Sequence, residues 1–209
     1  LIEDAETAGD SERSRRTRAW SHYVRGHTYR RMIDLAPSSR RLYAELSRRD
    51  LAIAAEGWEA LATVAEDDSY GAIAQTCRGG MIEADVALGE IDASAALERM
   101  RSQLQARCGL GNDPVGPMLE SCGWWCLFAC NIAARHLFPN ERQALDGFLD
   151  LAWSIAARLP NWALRERVLT LDYLHDRVRL DDPECIRMMV GAMGRSSRYR
   201  VIGRELLTA

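Results

Sequence analysis

The chain has 209 residues, 47% of them hydrophobic, and all 27 of its basic side chains other than histidine are arginine because it contains no lysine. The missing amine excludes a Schiff base with a carbonyl substrate or pyridoxal phosphate, a P-loop lysine and the strand lysine of protein kinases. Two explanations for the absence stay open: a GC-rich genome, or selection against an amine that can be ubiquitinated or acetylated. The net charge is only −3, but it is unevenly distributed along the chain.

The N-terminal quarter divides into an acidic and a basic part. Residues 1–12 carry five acids and no base, which predicts an acidic, disordered segment. Residues 13–49 carry eleven arginines against two acids. Within them an apolar stripe at i, i+3, i+4 and i+7 predicts a helix coated with arginine, and its members are Trp20, Tyr23, Val24 and His27. Pro37 ends this helix.

Helical periodicity continues through most of the remaining chain. Residues 40–66 are rich in alanine and predict a helix with one apolar face, formed by Leu42, Leu46, Ile53, Ala60 and Val64. Two further amphipathic segments cover 70–88 and 94–104. The glycine- and proline-containing segment 108–117 is the strongest loop signal, and we expect a hinge there.

The segment 118–137 is apolar nearly all round and predicts a buried central helix. Its uncharged part is about 14 residues long, short of the roughly 20 that a membrane span needs. Further helices are predicted after residues 140, 161, 183 and 196, and no strand-like alternation is present. The sequence therefore predicts an all-α fold of eight or nine helices, arranged as an antiparallel bundle or short solenoid-like array in a single domain over 13–209.

Four side chains in the central helix have the composition of a soft-metal site, namely Cys122, Cys126, Cys130 and His136. Three ligands on one rigid helix cannot easily complete a tetrahedron, and their apolar neighbours favour buried, reduced thiols. The sequence therefore predicts neither a metal nor a cofactor. No catalytic motif is present, which disfavours an enzyme.

The strongest functional candidate is the basic segment, in which arginines alternate with aromatic side chains. Guanidinium groups bind carboxylates and phosphates, and aromatic rings stack on apolar groups or bases. The predicted contact residues are Arg13, Arg15, Arg16, Arg18, Trp20, Tyr23, Arg25, Tyr29, Arg30, Arg31, Arg40, Arg41, Arg48 and Arg49.

These features predict a non-enzymatic binding or regulatory module that presents residues 13–49 to an acidic protein partner. Nucleic acid is the first alternative, RNA rather than DNA, although the isoelectric point near 5.9 is unlike that of a dedicated nucleic-acid binder. A small-ligand sensor is the second, because six tryptophans and seven methionines can line a pocket between helices. Self-association is left open. We expect an intracellular location, in the cytoplasm or inside a host cell, because no leader pattern or membrane span is visible.

Overall fold

The computed structural model describes residues 11–65, 67–108, 114–137 and 142–174. These residues form seven α-helices and one turn of 3-10 helix at Pro37–Ser39, and they contain no strand, which confirms the all-α prediction. The helices are α1 Glu12–Leu35, α2 Arg40–Ala65, α3 Asp68–Leu88, α4 Ala93–Cys108, α5 Gly116–His136, α6 Arg142–Arg158 and α7 Trp162–Leu174.

The described part thus contains seven helices rather than the predicted eight or nine. The two further helices predicted after residues 183 and 196 lie outside it, as do most of the acidic N-terminal segment and the centre of the predicted hinge. Helix α1 already begins at Glu12, the last residue of the predicted acidic segment. Among the described helices, none combines the length and the apolar character needed to cross a membrane.

Local sequence explains where several helices begin and end. The Ser11 hydroxyl accepts a hydrogen bond from the Ser14 backbone at the start of α1, and Asp67 does the same for Ser69 at the start of α3. Such side chains satisfy backbone N–H groups that the first turn leaves unpaired. Gly89 ends α3 with φ +75°, a left-handed conformation that glycine adopts without strain.

Helix α5 lies at the centre of the packing, in contact with α3, α4, α6 and α7. A large hydrophobic cluster surrounds it, and its side chains are buried along most of its length. A smaller cluster joins α1, α2 and α3 around Trp58, which is 2% exposed. Helix α1 therefore lies at one side of the molecule, packed mainly on α2 and to a lesser extent on α3.

The structure corrects the predicted apolar face of α2. Leu42, Ile53 and Val64 are exposed, and the buried face instead contains Ala44, Ser47, Asp50, Leu51, Ala54, Ala55, Trp58 and Leu61. Half of these side chains are alanine or serine, and α1 approaches this face closely at Gly26. A β-carbon added there would lie 2.8 Å from Leu51 Cδ2 and 3.1 Å from the Leu51 backbone nitrogen. Close helix contact, rather than side-chain hydrophobicity alone, selects the buried face.

Gly26→Ala is expected to lower the free energy of unfolding by about 1–3 kcal/mol, because overpacking a tight helix contact forces backbone movement. Gly147→Ala is the control, since its added β-carbon meets no neighbour among the described residues. That change should raise stability by about 0.5–1 kcal/mol through helix propensity. Urea unfolding followed by circular dichroism measures both. If Gly26→Ala raised stability as Gly147→Ala is expected to do, the result would contradict the close approach of α1 and α2.

Candidate binding surface

The arginines of residues 13–49 fall into two groups, those paired inside the fold and those that face outward. Arg30 is the most buried: its side chain is 7% exposed, and Nη1 donates to Glu83 Oε2 at 2.8 Å. Glu83 is 1% exposed and also accepts a hydrogen bond from Arg135. The Arg30 guanidinium lies 4.8 Å from the Phe128 ring centroid. Arg30 therefore joins α1 to α3 and is withdrawn from the surface.

A second internal pair connects α1 to α2. Arg25 binds Asp50 in a bidentate manner, with both Nε and Nη2 donating at 2.7 Å, and His22 Nδ1 lies 3.1 Å from the same carboxylate. Asp50 itself is fully buried. Burial alone would raise the pKa of the Asp50 carboxyl, but hydrogen bonds and charge from Arg25 and His22 hold it below its usual value. This carboxylate is thus ionised and neutralised from α1.

Most of the other predicted arginines also have partners within the fold. Arg48 bridges to Asp85 and Glu90, and Arg41 donates to Glu45 at 3.1 Å along its own helix. Further contacts involve Arg49 with Asp50, Arg40 with His136 and Arg16 with the Tyr70 ring. Five of the eleven arginines, Arg25, Arg30, Arg41, Arg48 and Arg49, thus pair with carboxylates of the described residues, and these charges are not available to a continuous basic face.

Four exposed arginines on α1 make no salt bridge with any residue that the structure describes, namely Arg13, Arg16, Arg18 and Arg31. Of these, Arg16 lies over the Tyr70 ring. Arg13 and Arg31 share one face with two large apolar side chains, Trp20 at 51% and Val24 at 48% exposure. Steps of seven, four and seven residues place these four side chains in line, because the helix turns once every 3.6 residues. We call these four side chains, together with the exposed Thr28 between Val24 and Arg31, the α1 outer face.

A cleft of about 300 Å³ opens beside the α1 outer face and is walled by α1, α3, α5 and α7. Its lining comprises Tyr23, Val24, His27, Thr28, Arg30, Arg31, Thr76, Trp124, Phe128 and Ala163. His27 lies parallel to Phe128, with ring centroids 5.9 Å apart, and meets Tyr23 edge-on at 4.5 Å. The cleft therefore has an aromatic wall with arginine at its side.

The ionisable groups of the cleft other than its arginines are neutral at physiological pH. Burial, together with the charges of Arg30 and Arg31, lowers the pKa of His27 to about 3. Its Nδ1 accepts from Arg30 Nε at 3.3 Å, whereas Nε2 is buried without a hydrogen-bond partner among the described residues. Burial raises the pKa of Tyr23 to about 12. Of the two arginines that line the cleft, Arg30 is paired with Glu83, whereas Arg31 makes no salt bridge with any residue that the structure describes.

The structure brings together only part of the predicted contact set. Trp20 stacks on Tyr23 with ring centroids 5.1 Å apart, next to the cleft, whereas Tyr29 stacks on Tyr43 instead. Trp124 and Phe128 reach the cleft from α5 and were not among the predicted contact residues. Their i, i+4 spacing in the sequence was a signal that both lie on the same side of that helix.

The cysteine-rich part of α5 lies in the core. Cys122, Cys126 and Cys130 are all fully buried, and His136 interacts with Arg40. Within the described ranges, no group of three or more histidine, cysteine or acidic side chains is arranged to hold a metal ion.

The candidate surface on α1 is defined by its geometry and charge. Three comparisons, with protein-family models, curated proteins and solved structures, find no match to this chain.

Proposed function

We propose that the chain is a non-enzymatic helical binding module whose α1 outer face docks an acidic protein partner. One observation carries the proposal: Trp20 and Val24 are about half exposed between two arginines that have no acidic partner among the described residues. Tryptophan and arginine are the side chains that most often dominate the energy of protein interfaces. A helix face with anchors at these spacings is also a common recognition element.

The charge of the surface favours an acidic partner. Arg13 and Arg31 each offer a planar guanidinium, which binds a carboxylate through two parallel hydrogen bonds. Trp20 and Val24 offer apolar area that a partner can cover. The cleft next to Arg31 has room for one side chain of the partner against the ring of Phe128. An acidic segment with interspersed apolar residues has the matching chemistry.

The pairing of several arginines with carboxylates makes RNA a weaker candidate than an acidic protein as the binding partner. Affinity for nucleic acid depends on many phosphate contacts, and each needs an available cation. Arg25, Arg30 and Arg48 are instead paired with Asp50, Glu83, Asp85 and Glu90. The exposed apolar side chains between the arginines suit a protein surface better than a phosphate backbone.

The test measures binding of a fluorescein-labelled peptide of alternating glutamate and leucine by fluorescence anisotropy at low salt. A peptide with glutamine in place of glutamate and a single-stranded oligouridylate are the comparison probes. We expect the acidic peptide to bind and Arg13→Glu, Arg31→Glu or Trp20→Ala to weaken it about tenfold each, which corresponds to about 1.4 kcal/mol. Arg99→Glu, the same charge reversal on the exposed side of α4, should leave affinity within about twofold.

Two results would overturn the proposal. One is an equal loss of affinity in the Arg99 and Arg31 variants, which would mean that only net charge matters. The other is absence of peptide binding, or tighter binding of oligouridylate than of the acidic peptide. The latter outcome would support RNA instead.

A further inference from the structure

The cleft beside the α1 outer face is lined by four aromatic rings, which come from α1 and α5. Phe128 lines it with only 2% of its surface exposed, whereas Tyr23, His27 and Trp124 are partly exposed there. Arg31 lines the same cleft, is exposed and makes no salt bridge with any residue that the structure describes. A space of about 300 Å³ thus combines accessible ring surface with an available cation.

Three polar side chains of the cleft already have hydrogen-bond acceptors within the fold. The hydroxyls of Thr28 and Thr76 donate to backbone carbonyls one turn earlier on their own helices, at 2.8 and 3.0 Å. Trp124 Nε1 donates to Glu120 Oε1 at 3.3 Å. Nε2 of His27 has no partner among the described residues, but this atom is itself buried. An occupant therefore need not supply hydrogen bonds to these groups, and an apolar side chain suits the interior of the cleft.

The rings of the cleft favour an aromatic occupant over an aliphatic one of the same size. Edge-to-face and offset-stacked rings attract each other beyond the effect of the area that they bury. The lining already packs in these ways, since His27 meets Tyr23 edge-on and lies parallel to Phe128. The guanidinium of Arg31 attracts the face of a ring and also binds a carboxylate close to it. The chemistry of the cleft thus matches an aromatic side chain that has an acidic neighbour.

We propose that this cleft is the specificity pocket of the α1 outer face: it takes one aromatic side chain of the acidic partner, and Arg31 binds a carboxylate next to that side chain. The inference rests on the proposed function, because the occupant belongs to the same acidic partner. It adds a rule of selection, namely that the partner carries an aromatic residue beside an acidic one. An aromatic anchor that fills a pocket is a typical source of most of the binding energy at a protein interface.

The test compares three fluorescein-labelled peptides of alternating glutamate and leucine by fluorescence anisotropy at low salt. They differ at one central position, which holds leucine, phenylalanine or cyclohexylalanine. Cyclohexylalanine is similar to phenylalanine in size but has no π electrons. We expect the phenylalanine peptide to bind about fivefold more tightly than the cyclohexylalanine peptide, because ring pairs add to the effect of buried area. Equal affinity of these two peptides would overturn the proposal, since apolar area alone would then account for binding.

A variant that fills the cleft locates the preference for the ring. Ala163 lines the cleft from the first turn of α7 and is exposed, so Ala163→Leu takes up space in the cleft without entering the core. It should reduce the affinity of the phenylalanine peptide to that of the leucine peptide and leave the leucine peptide unchanged within about twofold. Ala95→Leu is the matched control, because Ala95 is exposed in the first turn of α4 and is not part of the cleft. An undiminished preference for phenylalanine in Ala163→Leu would contradict the assignment of the pocket.

A measurement on the unaltered chain does not depend on the folding of any variant. A peptide with p-azidophenylalanine at the central position is irradiated in the complex, and mass spectrometry locates the crosslink. It should lie on residues that line the cleft, such as Trp124 or Ala163. Another cleft lies between α4 and α6 and contains Leu104 and Phe148. Crosslinks confined to that other cleft would overturn the proposal.

The peptide series also separates failure of this inference from failure of the proposed function. If none of the three peptides binds the unaltered chain, the α1 outer face does not dock an acidic segment, and both are wrong. If all three bind with equal affinity, docking on the α1 outer face stands and the aromatic specificity of the cleft is wrong.

Discussion

Glu83→Gln is expected to lower the free energy of unfolding by about 3–5 kcal/mol, the usual cost of breaking a buried ion pair by removing one partner. Glu83 is 1% exposed and is the carboxylate partner of both Arg30 and Arg135. Glutamine retains the shape but removes the negative charge. Arg30, only 7% exposed, then holds a buried charge with no carboxylate to compensate it. Arg135 is 20% exposed and regains water more easily.

Urea unfolding of the Glu83 variant would be compared with that of two further variants. Glu90→Gln removes an exposed carboxylate that pairs with Arg48, and it should cost no more than about 1 kcal/mol. The double variant Arg30→Met with Glu83→Leu replaces the buried pair by apolar side chains of similar size. It should recover most of the lost stability, because the buried charge of Arg30 is removed and Arg135, which is 20% exposed, can be hydrated. A loss below about 1 kcal/mol for Glu83→Gln would contradict the buried pair.

The same carboxylate predicts how stability depends on pH. Burial raises the pKa of Glu83, but the charges and hydrogen bonds of Arg30 and Arg135 outweigh it and hold the pKa below the ordinary value of 4.5. The unfolded chain therefore takes up the proton first as the pH falls. The contribution of Glu83 is complete above about pH 4.5 and is lost as the pH falls from there through the lower pKa of the folded state. Glu83→Gln should accordingly lose less stability on acidification than the unaltered chain.

Asp50→Asn is expected to lower the free energy of unfolding by about 1–3 kcal/mol, a smaller loss than for Glu83→Gln. Asp50 is fully buried, but its main partner Arg25 is 35% exposed. Released from the carboxylate, the Arg25 guanidinium can rehydrate, whereas Arg30 in the other pair cannot. Asparagine also retains one hydrogen-bond acceptor for the guanidinium.

Thermal and urea unfolding would measure this ranking, with Arg49→Gln as control. Arg49 lies 3.9 Å from Asp50 and is 61% exposed, so its replacement should change stability by no more than about 0.5 kcal/mol. Asp50→Asn should also leave binding of the acidic peptide unchanged, since Asp50 lies on the side of α2 that faces α1. A larger loss for Asp50→Asn than for Glu83→Gln would contradict the argument that partner exposure sets the cost.

The sequence by itself determined the positions of the described helices. Residues such as Pro37, Gly89 and Asn161 mark where helices begin or end. This signal is local, because proline, glycine and capping side chains act only on the few backbone residues next to them. The helix predicted over 40–66 is observed as Arg40–Ala65. The missing lysine likewise excludes amine chemistry without any reference to the fold.

Only the tertiary structure decided which face of each helix is buried and which arginines stay available. Arg30 meets Glu83 across 53 residues, and Arg25 meets Asp50 across 25. Hydrophobic periodicity selects apolar positions for the buried face, so the predicted face of α2 contained Leu42 and Ile53 and did not include Asp50. Burial of Asp50 and Glu83 is stable because each carboxylate pairs with an arginine on another helix. The pairing compensates the cost of removing the carboxylate from water. That pairing depends on how the helices pack, and periodicity within one helix carries no information about it.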